Sequence, residues 1–186
     1  MAKLIYASPT SLDGYIADDG DFGWSEPDDE VFAFISGVLR PIGTYLYGRG
    51  TYETMAVWET PEVFPNLKPS MLNFARMWQR ANKIVYSRSL GAVATSNTRL
   101  ERVFDPQAVR NLKAHSDHDL SVGGPALAAQ AIRAGLVDEY HLFIVPVIRG
   151  RGKRVLPADV SVKLDLLAER RFANGWVCLH YRTRAD

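Results

Sequence analysis

A single cysteine, Cys178, among 186 residues leaves no internal disulfide and fits a reducing, cytoplasmic compartment. It sits in the alternating stretch WVCLHY, a pattern that predicts a buried strand residue rather than a nucleophile. No apolar run approaches the length of a membrane span. The start, Met1-Ala2-Lys3 followed by strand-like LIYAS, has too few apolar residues for a secretory signal. A cytoplasmic protein without a membrane partner is therefore expected. Net charge is nearly absent too, since 22 Lys and Arg against 21 Asp and Glu leave +1. With no basic stripe carrying interleaved aromatics, no nucleic-acid partner is expected.

Several chemistries lack their residues. No serine stands in a G-x-S-x-G elbow, and no lysine follows a phosphate-cradling glycine loop. One cysteine cannot supply the ligands of a zinc deaminase. His115, His118, His141 and His180 show no metal-ligand spacing, so no metal is expected. His115 and His118 flank a helix end, while His141 and His180 lie in strands and read as packing residues. The first strand is not followed by G-x-G-x-x-G. Its loop is acidic instead, carrying Asp13, Asp18, Asp19, Asp21, Glu26, Asp28, Asp29 and Glu30, with no basic residue between Lys3 and Arg40. A polyphosphate would avoid that segment and tolerate the basic loop RGRGKR, Arg149 to Arg154.

What is present is alternation. LIYAS (4–8), GTYLYGRG, KIVYS (83–87), DLSV and DEYHLFIVPVI read as strands, with Pro146 pointing to an edge or bulge. ATSNTRLERV supplies polar strand and turn material. PDDEVFAFISGVLR reads as a helix with Pro27 and acids in its first turn. TYETMAVW follows with Thr51 as N-cap, and PSMLNFARMWQRA is helical. In DPQAVRNLKAH, Asp105 caps and Pro106 takes the first position; PALAAQAIRAG is closed by Gly135. VKLDLLAERRF and WVCLHYRTR alternate as antiparallel strands about the turn ANG. With no repeat, low-complexity tract or linker, residues 1–186 read as one domain. Its class is α/β, a mixed sheet flanked by helices.

The glycines raise the functional question. SVGGPAL puts Gly123 and Gly124 where a strand hands over to a helix, leaving bare amides before the positive end of a helix dipole. The plain alternative is a tight turn. YGRGTYE repeats the pattern with Gly48, Arg49 and Thr51, and a guanidinium there can fork onto phosphate. VYSRSL places Ser87 and Arg88 at a third strand end. Together these resemble the ligand edge of an α/β sheet.

SLDGYIA, YGRGTYETM, VYSRSL and SVGGPAL…LVDEYHLFIVPVIRGRGK, in this order, resemble the dihydrofolate reductase superfamily. The similarity is greatest to its branch related to the reductase domain of the bifunctional riboflavin-biosynthesis deaminase–reductase. The resemblance implies a dihydrofolate reductase-like mixed sheet with a C-terminal antiparallel hairpin, an NADPH cofactor, a homodimer and hydride transfer to a C=N bond. The implied substrate is a small pterin-like or other nitrogen heterocycle. It implies that Ile16 and Ala17 meet the nicotinamide and that Gly48, Arg49 and Thr51 hold phosphates. Ser87 and Arg88 would then take the adenosine end with its 2′-phosphate, and Gly123, Gly124, Pro125, Ala126 and Leu127 the pyrophosphate. Asp29, and second to it Asp28, fall where folate reductases carry their substrate-binding carboxylate. A helix start favoured by the dipole explains the same acids equally well. The acidic loop departs from the riboflavin enzymes, because a ribityl phosphate calls for lysine or arginine. The rival expectation is a module that keeps the cofactor cleft and binds NADP(H) without turnover.

Overall fold

Residues 1–16 and 23–184 are described by the computed structural model. Their elements run β1 (Leu4–Ser11), β2 (Tyr15–Ile16), α1 (Asp29–Leu39), β3 (Ile42–Gly48), α2 (Arg49–Met55), α3 (Pro69–Arg80), β4 (Asn82–Tyr86), β5 (Thr98–Glu101), α4 (Pro106–His115), β6 (Asp119–Gly123), α5 (Pro125–Arg133), β7 (Glu139–Val145), β8 (Lys153–Arg154), β9 (Leu164–Arg171) and β10 (Val177–Thr183). The main sheet has the order β5-β4-β3-β6-β1-β7-β10-β9. Neighbours are parallel from β5 through β7, and β10 runs antiparallel to both of its neighbours. This is the mixed α/β sheet, with a terminal antiparallel pair, that the sequence pattern implied.

Strand alternation sorts the core. Leu4, Tyr6, Leu46, Ile84, Leu120 and Val122 face α4 and α5, whereas Ile5, Tyr45, Tyr47 and Val85 face α1 and α3. Because β1 is followed by α1 on one face and β6 by α5 on the other, the chain leaves adjacent strands in opposite directions. A crevice opens at their carboxyl ends for that reason.

Three local expectations are corrected. Pro27 lies outside α1; Asp28 is the N-cap, accepting a hydrogen bond from Val31 N at 2.9 Å. Thr51 is no cap, because α2 starts directly after an extended Gly48, which puts Thr51 inside the first turn. Pro146 marks neither an edge nor a bulge: β7 is internal, between β1 and β10, and the proline follows its last residue, where the missing N–H ends the ladder. Asp105, Pro106 and Gly135 behave as expected, with Gly135 at φ 63° closing α5.

One buried cation holds the α3–β4 corner. Lys83 is 1% exposed, and its Nζ donates to the carbonyls of Trp78, Gln79 and Ala81 at 3.0, 3.3 and 3.0 Å, capping the end of α3. It also lies 4.2 Å from the Trp78 ring centroid. Lys83→Met keeps the stem and removes the donor, so it lowers stability by about 2–3 kcal/mol in urea unfolding.

Candidate functional site

The crevice is a cleft of about 840 Å³, a size suited to a small-molecule or cofactor ligand. Ala7, Ser8 and Pro9 of β1 form one wall, with Ile16 above them. Tyr45, Tyr47 and Gly48 of β3 and Ser121 to Gly123 of β6 form the floor. The starts of α2 and α5 rise from it, Ile35 and Leu39 of α1 close the apolar side, and Lys153 stands at the mouth.

The two glycine junctions meet. A Cβ on Gly124 would lie 2.7 Å from Thr51 Oγ1, and Gly124 adopts φ +93°, which side chains rarely accept. A Cβ on Gly123 would meet the Tyr47 ring at 2.8 Å and Thr51 Cγ2 at 3.0 Å. These glycines thus let the start of α5 seat itself against α2. The same close approach leaves bare backbone on the cleft surface. The first bond within α5 runs from Ala128 N to Gly124 O at 2.9 Å, so the amides of Ala126 and Leu127 precede it. Both residues line the cleft. Beside them, Arg49 donates through Nε to Glu53 at 2.7 Å and through a terminal nitrogen to Ser89 Oγ at 3.2 Å.

The loop after β1 is clamped rather than merely turned. Asp13 accepts from Ser11 Oγ at 2.6 Å and from the amides of Arg149 and Gly150 at 3.0 and 2.7 Å. These donors, Ser11 foremost, pull its pKa down to about 2. Ser11 Oγ in turn accepts from Tyr15 N, and β2 pairs with β8. The SLDGYI segment and the RGRGKR loop therefore form one unit, which carries Ile16 and Lys153 to the cleft.

Tyr45 and Tyr47 of β3 and Ser121 of β6 give the floor its polarity. Tyr45 and Tyr47 stack at 5.4 Å, and Tyr47 Oη accepts from Trp78 Nε1 at 3.2 Å. The Tyr45 hydroxyl is buried and has no hydrogen-bond partner among the described residues. Burial pushes its pKa up, so the proton stays on oxygen. A buried donor without a protein acceptor calls for a partner of another kind, an ordered water or a ligand.

Of the residues singled out in the sequence, Ile16, Gly48, Arg49, Thr51 and Gly123 through Leu127 all line this cleft. Ala17 lies outside the described residues. Ser87 and Arg88 are not part of the lining: Ser87 is buried with its Oγ accepting from Leu90 N, and Arg88 is exposed. Ser89, which the motif reading passed over, is the residue that touches Arg49. The carboxylate assignment needs correcting as well. Asp28 is committed to capping α1, and Asp29 is exposed, paired with Lys68 at 2.5 Å; neither lines the cleft. His141 and His180 lie in β7 and β10, and their rings pack against each other, stacked at 3.9 Å between centroids. Tyr45 and Ser121 were missed, although each breaks an apolar strand at the alternate position that points into the crevice.

The family described as the RibD C-terminal domain matches residues 2–178. Protein YyaP of Bacillus subtilis (strain 168), itself uncharacterized, is 26% identical over 187 residues, spanning 96% of this chain and 94% of that one. Among solved structures, a protein named for riboflavin biosynthesis from Shewanella sp. PV-4 superposes with a TM-score of 0.75 at 18% identity, covering 100% of both chains. A pyrimidine reductase-like protein from Corynebacterium diphtheriae gives 0.68 at 17% identity, over 100% of this chain and 93% of that one. The diaminohydroxyphosphoribosylaminopyrimidine deaminase/5-amino-6-(5-phosphoribosylamino)uracil reductase of Thermotoga maritima gives 0.67 at 20% identity; 98% of this chain matches 57% of that one.

Proposed function

Because this chain belongs to the RibD C-terminal domain family, we propose that it is an NADPH-dependent reductase acting on a C=N bond of a small nitrogen heterocycle of the pyrimidine or pterin class. The observation that carries the reading is the meeting of two glycine junctions at the sheet rim, with bare amides beside a guanidinium. Such a surface suits a pyrophosphate, which needs amide donors and close backbone approach. The amides of Ala126 and Leu127 would hold it, Arg49 with Ser89 would take a further phosphate, and apolar Ile16 would lie against the nicotinamide. NADPH, when bound there, supplies a hydride.

The protein's part is to position and to exclude water. Ala7, Pro9, Ile35 and Phe143 give the cleft apolar walls, and Tyr45 keeps a donor hydroxyl for a heterocycle nitrogen or carbonyl. A phenol whose pKa is raised donates a hydrogen bond without giving up its proton, so Tyr45 orients the substrate and does not protonate its nitrogen.

One observation favours the second reading, cofactor binding without turnover: both acids expected near the nicotinamide lie elsewhere. The two readings share their first test. NADPH at a hundredfold excess over its Kd stabilises the protein by about 2.7 kcal/mol in thermal unfolding, and NADH does so less at equal concentration. Arg49→Ala abolishes that preference. No stabilisation by NADPH removes both readings. Binding with no NADPH oxidation across a panel of pyrimidines, pterins and other nitrogen heterocycles leaves the second.

A further inference from the structure

The Glu139–Lys3 corner of the sheet contributes nothing to the cleft lining described above, yet it gathers ionisable side chains on one face. β7 and β10 pair antiparallel with His180 directly opposite His141, and Glu139 lies two residues along β7 on the same face. One ligand atom from each of Glu139, His141 and His180 falls within 4.8 Å of the others. Glu139 and His141 are each 8% exposed. His180 Nε2 lies 3.1 Å from Glu139 Oε2, and the two imidazoles stack at 17° between planes. His141 Nδ1 is buried with no partner among the described residues. A groove of about 490 Å³, whose lining includes both histidines, Cys178, Glu169, Arg170 and Arg171, opens in front of them.

We propose that Glu139, His141 and His180 form a binding site for a divalent transition metal of the zinc class, with its fourth coordination position open to this groove. Two imidazole nitrogens and one carboxylate oxygen are the donor set of an open tetrahedral zinc site. Such a site needs ligand atoms about 3.4 Å apart with both in-plane lone pairs aimed at one ion, so metal binding turns the two rings out of their 17° stack. The orphaned Nδ1 is the second, independent indication, because buried ring nitrogens are ordinarily satisfied. Two arginines in the groove, Arg170 and Arg171, and Lys3 oppose a cation, and Lys3 is the nearest to a ligand: its Nζ lies 2.7 Å from Glu139 Oε1. Its side chain is 53% exposed and free to swing away, while Oε2 remains on the histidine side.

That competitor sharpens the test. The full chain, stripped with chelator, is titrated with Co²⁺ by visible absorption and with Zn²⁺ by calorimetry. One equivalent binds, with the intense visible bands of tetrahedral Co²⁺. His141→Ala and His180→Ala each weaken binding at least about a hundredfold, and Glu139→Gln weakens it about tenfold or more. Lys3→Met tightens it several-fold, since a like charge leaves the site. The last variant alters only an exposed side chain, so it reads out even if a histidine variant fails to fold. Absence of stoichiometric binding overturns the proposal. So does binding that survives both histidine variants, or that Lys3→Met leaves unchanged.

Discussion

Gly124→Ala loses about 2–6 kcal/mol of stability, and it loses the response to NADPH as well. Two independent costs add. The left-handed φ of +93° is strained for any side chain, at about 1–3 kcal/mol. The new methyl also stands 2.7 Å from Thr51 Oγ1, an overpacking cost of similar size. Thr51→Ala removes the obstructing atom and leaves the dihedral untouched. The double variant therefore recovers the steric half, and a double-mutant cycle in urea reads a coupling of about 1–3 kcal/mol. Cofactor binding separates the functional role from the structural one. If the junction only packs α5 against α2, the double variant responds to NADPH as Thr51→Ala alone does. If the bare backbone where the two junctions meet holds the pyrophosphate, the methyl still stands in that gap, 3.9 Å from Gly48 N, and the response stays absent. Equal NADPH-induced shifts in the double variant and in Thr51→Ala would falsify the pyrophosphate role.

The contrast between Gly124 and Asp29 shows what could be read from the sequence. A strand, two glycines and a helix start constrain backbone alone, and backbone geometry follows from local sequence. The cleft-lining glycines, Arg49 and Thr51 were legible for that reason. The direction of a carboxylate at a helix start is not local. An acid there is stabilised by the dipole whichever way it faces. Only the packing of α1 against Phe74 and Phe143 turns Asp28 into a cap and Asp29 out toward Lys68. Asp13 is a similar case, since its partners Arg149 and Gly150 lie 136 and 137 residues away. The histidine pair was hidden by register. β9 intervenes between β7 and β10 in the chain, and a slip of one residue would send His141 and His180 to opposite faces. The strands themselves were plain, because a parallel sheet covered on both faces writes near-continuous apolar runs.

Tyr45 offers an outcome in which stability and activity move in opposite directions. Its hydroxyl is buried without a protein partner, so Tyr45→Phe removes an unmet desolvation cost and leaves the stack on Tyr47 in place. Stability is unchanged or rises by about 1 kcal/mol. A purely structural tyrosine would show that and nothing more. On the cleft floor, however, the hydroxyl is the donor that a heterocycle nitrogen or carbonyl meets once water has left. Reduction then falls about ten- to a hundredfold in kcat/KM, the range for a neutral hydrogen bond made in a water-poor cleft. NADPH binding, read by the same thermal shift, stays as in the parent, because Arg49 and the start of α5 are untouched. The raised pKa of the phenol adds a second readout. With the proton fixed on oxygen through the working range, Tyr45 contributes no ionisation to the pH profile near neutrality, and Tyr45→Phe lowers that profile without displacing it. A displaced profile would assign the hydroxyl to proton transfer, and a profile neither lowered nor displaced would take Tyr45 out of the reaction.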